Sequence, residues 1–288
     1  MKEITFDSLK HLLPERNKKS HKGSFGTLLS LCGSAYYRGA ALLSCESALR
    51  SGVGILRLAS TERVCAVVAA SLPEVTFLPQ DEDEAGAICY FDVEDTLEKF
   101  PSVSALLCGC GLTNTQATHQ IVCNIIRKGT VPLILDADAL NCIAGDPQIL
   151  KEAKFPPVIT PHWGEFSRLC GISVKEIESN TEALAGSFAK KYNCILVLKS
   201  YFTLIATPDG EVVVSNRGNP GLARGGSGDI LAGIVASFVA QGLCPADAAM
   251  LGVTLHASSA DRCAERLGMT GMLPHDIIFD MINLLKER

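Results

Sequence analysis

The alternation of brief apolar runs with helical patterns constrains this chain more tightly than any other feature. Thr27–Cys32, Ile55–Ala59, Ala105–Cys108, Val131–Leu135, Val158–Thr160 and Ile195–Leu198 are short, apolar and mostly closed by turn residues, as buried strands are. Ala40–Ser51, Thr115–Lys128, Gly164–Cys170, Thr181–Tyr192, Asp229–Gln241 and Ala246–Leu267 carry helical patterns. Strand and helix in alternation require crossover connections. The sequence therefore predicts a three-layer α/β/α architecture, with a mostly parallel central sheet and helices on both faces. Phe202–Thr207 and Val212–Asn216 flank the turn signal Pro208-Asp-Gly210 and predict an antiparallel hairpin that extends the sheet. Asp81–Glu84 reads as a surface loop. No linker-like stretch or fixed-period repeat breaks the pattern, so residues 1–288 are expected to form one α/β domain.

Charge narrows the partners. Lys and Arg number 26 against 31 Asp and Glu, a net charge of −5, with no basic block. Neither nucleic acid nor an anionic membrane is an expected partner, and any anionic ligand must be held by local features. The N-terminal stretch is charged and lacks the apolar core of a secretory signal. No run approaches the roughly 18 consecutive apolar residues of a membrane span, so a soluble, cytoplasmic protein is expected. The 12 cysteines form no C-x-x-C pair and sit mostly in apolar runs. They read as buried, reduced thiols. Cys108-x-Cys110 is the one close pair, and no His or Cys lies near it in sequence to complete a metal site.

The densest chemical signal is the run from Asn216 to Asp229, with five glycines between 218 and 228 and an apolar helix directly after it. Glycines let backbone N–H groups turn inward, and a helix start adds unpaired N–H groups and partial positive charge. Gly225, Gly226, Ser227 and Gly228 thus form a candidate anion hole for a phosphate. The run is neither a Walker loop nor a G-x-G-x-x-G turn. Asp229, at the end of the hole, repels a phosphate, which makes sense if it is a base taking a proton from an attacking hydroxyl. The alternative is that Asp229 caps the helix.

Four strand ends add weaker signals. Asp136 and Asp138 follow Val131–Leu135, where open α/β sheets bind ligands, although Asp138 reads better as a helix cap. His162 and Glu165 follow Val158–Thr160, with a polar cap on the next helix as the competing reading. Gly109-Cys-Gly111 and Gly33–Ala40 are small-residue turns after strands. Together these segments predict one site on one side of the sheet.

Asn219-Pro-Gly-Leu-Ala-Arg-Gly-Gly-Ser-Gly-Asp229 followed by Ile-Leu-Ala-Gly resembles the signature of the ADP- or ATP-dependent NAD(P)H-hydrate dehydratases of the ribokinase-like superfamily. Thr160-Pro-His-x-Gly-Glu165, Leu135-Asp-Ala-Asp-Ala-Leu140 and Gly39-Ala-Ala-Leu-Leu leading to Leu49-Arg-Ser-Gly52 are similar to its other blocks. Leu13-Pro-Glu-Arg and His21-Lys-Gly-Ser-Phe-Gly-Thr27 resemble the stand-alone bacterial members. The chain departs from the family at Lys199-Ser200, usually Lys-Gly, and at Gly109-Cys-Gly-Leu-Thr113, usually Gly-Pro-Gly-Leu-Gly.

The resemblance implies a ribokinase-like fold and an ADP-dependent (6S)-NAD(P)H-hydrate dehydratase. Such an enzyme phosphorylates the ring hydroxyl of NADH-hydrate or NADPH-hydrate and eliminates phosphate, leaving NAD(P)H and AMP, with ATP as an alternative donor. It implies Ala40, Gly111, His162 and Asp229 as substrate contacts, with Asp229 catalytic. It places Lys199, Ser200, Tyr201, Phe202, Thr203 and Gly228 on the nucleotide. It puts Glu165 near magnesium through water, and it implies a homo-oligomer, often a tetramer. The nearest rival is a vitamin-precursor or sugar kinase of the same fold. Many of those carry Asn where this chain has His162.

Overall fold

The computed structural model describes residues 1–287. Its strands are β1 (Lys2–Glu3), β2 (Thr27–Leu31), β3 (Ile55–Thr61), β4 (Thr76–Gln80), β5 (Ala105–Cys108), β6 (Leu133–Leu135), β7 (Val158–Ile159), β8 (Ile195–Lys199), β9 (Thr203–Ala206) and β10 (Val212–Ser215). They form one sheet in the order β1-β10-β9-β8-β7-β6-β5-β2-β3-β4. From β8 through β4 all neighbours are parallel. The hairpin β9–β10 pairs antiparallel within itself and with β8, and β1 closes that edge in parallel with β10. The expected hairpin forms, its first strand one residue shorter at both ends and its second one residue shorter at its end, with Gly210 at φ +96 in its turn. Both edges resist further pairing: β1 is two residues long, and β4 carries Pro79.

The helices are α1 (Phe6–Leu9), α2 (Arg38–Arg50), α3 (Glu62–Ser71), α4 (Val93–Lys99), α5 (Gln116–Lys128), α6 (Asp138–Ile143), α7 (Trp163–Cys170), α8 (Val174–Ser179), α9 (Thr181–Tyr192), α10 (Ser227–Ala240), α11 (Pro245–Leu267) and α12 (Pro274–Lys286). Successive strand residues point to opposite faces. Leu28, Leu56, Leu107, Ile134 and Val197 therefore join one core with α2, α3, α10, α11 and α12. Leu29, Leu31, Leu106, Leu135 and Leu198 join a second core with α4 to α9. Two cores flanking one sheet are the expected three layers. No helix of the described residues is long and apolar enough to cross a membrane.

Several elements escaped the sequence reading, among them β4, α3 and α12. β4 is a half-buried edge strand interrupted by proline. In α3, neighbouring β-branched residues obscure the helical spacing of Val64 and Val68. α12 was legible, with Pro274 in its first turn and Ile277, Met281 and Leu284 on one stripe.

α10 is the central helix. Ser227 and every residue from Ile230 to Ala240 are buried, as expected of a helix that is apolar all round. Its approach to α2 depends on Gly233, where a Cβ would fall 2.2 Å from the Ser44 carbonyl oxygen and from Ser47 Oγ. Alanine favours helix by about 1 kcal/mol over glycine, but here the collision wins. Gly233→Ala is expected to lower stability in urea unfolding by about 1–3 kcal/mol. An unchanged or raised midpoint would show that the two helices separate freely.

Candidate active site

After β1 at the far edge, the chain crosses to β2, builds outward through β3 to β4, and returns to β5 on the other side of β2. The strand order therefore reverses at β2, and the crevice expected of such a switch point lies at the carboxyl ends of the strands. The Gly33 N–H donates to the Cys110 carbonyl at 2.8 Å across this point. Gly109 has φ +125, and a Cβ there would fall 1.9 Å from the Asp136 carbonyl oxygen. Only glycine lets the β5 loop pass so close to the end of β6. A Cβ on Gly111 would fall 2.8 Å from the Ala40 Cβ, so these two expected substrate contacts adjoin.

The glycine-rich run is anchored by Asp261 of α11, whose carboxylate accepts from Gly218 N at 3.2 Å and Asn219 Nδ2 at 3.1 Å. Gly226 then serves as the N-cap of α10 at φ +103, a conformation that disfavours any residue with a Cβ. The first helical bond runs from Ile230 N to Gly226 O, and Ser227 N reaches Arg224 O. The amides of Gly225, Gly226, Gly228 and Asp229 have no partner in the described residues. Unbonded N–H groups at a helix start are the physical content of an anion hole.

The helix begins two residues before the expected Asp229. Asp229 is thus its third residue, and α10 has no side-chain cap. The capping alternative for Asp229 is overturned. Its carboxylate instead lies among side chains from other strand ends. Cys110 Sγ and carboxylate oxygens of Asp136 and Asp229 all lie within 4.8 Å of one another. Burial first, and then the Asp136 charge, push the Asp229 carboxyl up to about 7, against opposing effects of Lys199 and Cys110. Asp136 is buried. Its Oδ1 accepts from Thr160 Oγ1 at 2.6 Å and from Lys199 Nζ at 3.0 Å, and Cys110 Sγ lies 3.6 Å from its Oδ2. Burial works against the charge of Lys199, but Asp136 and Glu165 outweigh it and hold its pKa above the usual value.

His162 satisfies the capping alternative and still faces the site. Its Nδ1 accepts from Gly164 N at 2.9 Å and Glu165 N at 3.3 Å, while Glu165 Oε2 accepts from His162 N at 2.8 Å. With Nδ1 an acceptor, the ring proton belongs on Nε2, and the half-exposed side chain can present it to a ligand. His162 also bridges to Lys199 in parallel, as an extension of the sheet. Lys199 to Thr203 form the tight connection between β8 and β9. Ser200 stands where the resemblance expects glycine. It fits because its φ is ordinary and its hydroxyl donates to the Phe202 carbonyl at 2.9 Å. Tyr201 is 78% exposed and packs edge-on against Trp163 and Phe202, with centroids at 5.9 and 4.6 Å. A Cβ on Gly228 would sit 3.3 Å from Lys199 Nζ, so the β8 end and the α10 start meet.

Asp138 does not cap α6, whose N-cap is Ala137. Its Oδ2 accepts from Thr113 N at 2.8 Å and holds the loop after β5. Cys108 and Cys110 point into opposite cores, so they do not converge on a metal. The structure adds His256 of α11, which the sequence reading missed because its only mark is an apolar helix. Burial and the nearby Lys199 push its pKa down to about 4. His256 Nε2 and Ser227 Oγ are both buried without a partner. All twelve cysteines are free.

A family model described as NAD(P)H-hydrate dehydratase matches residues 28–283. The bifunctional NAD(P)H-hydrate repair enzyme Nnr of Moorella thermoacetica is 36% identical over 92% of this chain and 50% of its own length. The ADP-dependent (S)-NAD(P)H-hydrate dehydratase of Bacillus subtilis is 33% identical over 95% of this chain and 94% of its own. The chain thus spans about half of the bifunctional relative and nearly all of the stand-alone one. The crystal structure of the ADP/ATP-dependent NAD(P)H-hydrate dehydratase of B. subtilis, co-crystallised with ATP/Mg2+, superposes with a TM-score of 0.84 at 31% identity, covering 100% of this chain and 98% of that one. Hydroxyethylthiazole kinase of Pyrococcus horikoshii, at 14% identity and TM-score 0.61, covers 98% of this chain and 92% of its own, and shares the fold alone.

A carboxyl that keeps its proton up to about pH 7 when folded, but only to about 3.9 when unfolded, costs stability as pH rises through that window. Asp229→Asn removes the cost. The variant is expected to melt above the parent at about pH 8 and level with it at about pH 4. A gap that does not widen with pH would contradict the raised proton affinity of Asp229.

Proposed function

The chain belongs to the NAD(P)H-hydrate dehydratase family, and from that premise we propose that it is an ADP-dependent (6S)-NAD(P)H-hydrate dehydratase, acting as one cytoplasmic domain on NADH-hydrate and NADPH-hydrate. The observation that carries the reading is Asp229. It is a half-buried carboxylate with raised proton affinity, unused for capping and one residue from unbonded helix-start amides. A group poised near neutrality both accepts a proton and releases it.

The hydrate carries its hydroxyl on the ring carbon beside the ring nitrogen, and hydroxide leaves poorly. Asp229 takes the hydroxyl proton as the oxygen attacks the β-phosphorus of ADP. The P–O bond to the α-phosphate breaks and AMP departs. The amides of Gly225, Gly226 and Gly228, with Ser227 at the turn, stabilise the charge in transfer. The ring nitrogen lone pair then expels phosphate to give an iminium, and loss of a proton from the adjacent ring carbon to solvent leaves NAD(P)H. In this reading Ala40, Gly111 and His162 hold the hydrate. Lys199 to Thr203 and Gly228 hold the nucleotide, with Tyr201 offering an aromatic face to the adenine.

Magnesium neutralises phosphate charge when bound. Glu165 suits it only through water, because Oε2 is already committed to His162 N. Exposed Tyr36 and Tyr90, on adjoining loops, supply apolar surface for a homo-oligomer, read as a tetramer by resemblance and checked by light scattering.

Mixing the protein with hydrated NADPH, magnesium and ADP is expected to restore the reduced-nicotinamide absorbance and release AMP and phosphate in equal amounts. ATP is tested as the alternative donor. Turnover of hydroxymethylpyrimidine or ribose in place of the hydrate would instead favour the kinase reading. Asp229→Asn is expected to lower turnover roughly 10²–10⁴-fold at saturating substrates. A parent-like rate would remove Asp229 from the chemistry.

A further inference from the structure

The dehydratase reading gives Asp136 no part, yet Asp136 is the most firmly held carboxylate at the site. It is 2% exposed and ends β6, next to Ala137, whose φ of +49 is rare for a residue with a Cβ. Thr160 from the end of β7 and Lys199 from the end of β8 fix its Oδ1. Its Oδ2 faces Cys110 from the β5 loop. A carboxylate clamped on three sides cannot swing away from Asp229, with which it shares the 4.8 Å cluster.

We propose that Asp136 is a positioning residue that acts on the reaction through Asp229, its clamped carboxylate fixing how readily Asp229 takes and holds a proton. The inference rests on Asp229 being the base of the proposed reaction. Two carboxylates this close resist ionising together, so the one with fewer stabilising partners keeps its proton to higher pH. Asp136 has Thr160, Lys199 and the Cys110 thiol, while Asp229 has at most a share of that same thiol. The asymmetry makes Asp229 the group that cycles. The other groups facing Asp229 are Asp138 from α6, which acts with Asp136, and Lys199, which opposes it. Cys32 from the β2 end and Cys110 complete the surroundings. Lys199 pairs with Asp136 at 3.0 Å, so that buried carboxylate does not stand without a counter-charge.

The test has one readout that needs no substrate and one that does. Carbon-13 NMR of labelled aspartate carboxyls, with the Asp229 signal assigned by its loss in Asp229→Asn, follows the titration directly. Asp136→Asn is expected to move the Asp229 midpoint, and the acid limb of the turnover profile with it, down by about one pH unit or more. The paired variant Asp136→Asn/Lys199→Met removes both charges together and keeps the fold if the single variant fails. It is expected to shift the NMR midpoint in the same direction by less, since the two charges act oppositely on Asp229. An Asp229 midpoint that stays in place in whichever variant folds, with turnover lowered equally at every pH, would reduce Asp136 to a strut between strand ends and overturn the proposal. A parent-like rate in Asp229→Asn with the NMR shift intact would instead overturn the dehydratase mechanism and leave the coupling standing.

Discussion

A helix buried on every side has only its ends to offer to solvent or ligand, and α10 is such a helix. Its apolar body lies against α2 and α11 and beneath the sheet, so its first turn must open at the carboxyl edge of the strands. That single placement brings unbonded amides, partial positive charge and Asp229 to the crevice between the β2 and β5 loops. Gly233 sets how closely α10 approaches α2, and Gly226 supplies the turn into the helix. The carboxyl edge of the strands is therefore anchored by core packing, although many of the residues gathered there are on loops.

Electrostatics follow from the same placement. An anion hole attracts negative charge, yet the crevice also gathers Asp136 and Asp229, with Asp138 and Glu165 nearby. One cation, Lys199, sits among them, paired with Asp136 and beside Gly228. Burying an ion pair is costly, and its hydrogen bonds to Thr160 and neighbours offset only part of that cost. The same low-dielectric surroundings raise the proton affinity of Asp229 and make it serviceable near neutrality. Burial that would be a liability in a purely structural pair is thus the source of the chemistry assigned to the site.

The strands and helices were legible because their periods are. Ala105–Cys108 and Thr181–Tyr192 occur with the boundaries that the sequence predicts, since buried parallel strands are continuous apolar runs and helices carry a stripe. β4 was not legible, because an edge strand with Pro79 half-buries both faces, with Phe77 and Leu78 against opposite cores, and so displays no alternation. The start of α10 was misplaced by two residues. Glycine and serine in its first turn look like loop, and only the hydrogen bond from Ile230 to Gly226 fixes the boundary. That shift removed the cap reading of Asp229. His162 was read as either cap or ligand contact, and its imidazole has one nitrogen for each.

By itself the sequence determined the element types, the three layers, the glycine-rich helix start and the residues at each strand end, because these follow from local backbone chemistry and one-dimensional periodicity. Only the tertiary structure decided the strand order, the crevice beside β2 and the company each side chain keeps. The partners of Asp136 lie 24 residues away at Thr160 and 63 at Lys199, and His256 reaches the site from an apolar helix. Separations of that kind leave no local pattern, since a side chain's proton affinity depends on what the folded chain brings within a few ångströms and not on its neighbours in sequence.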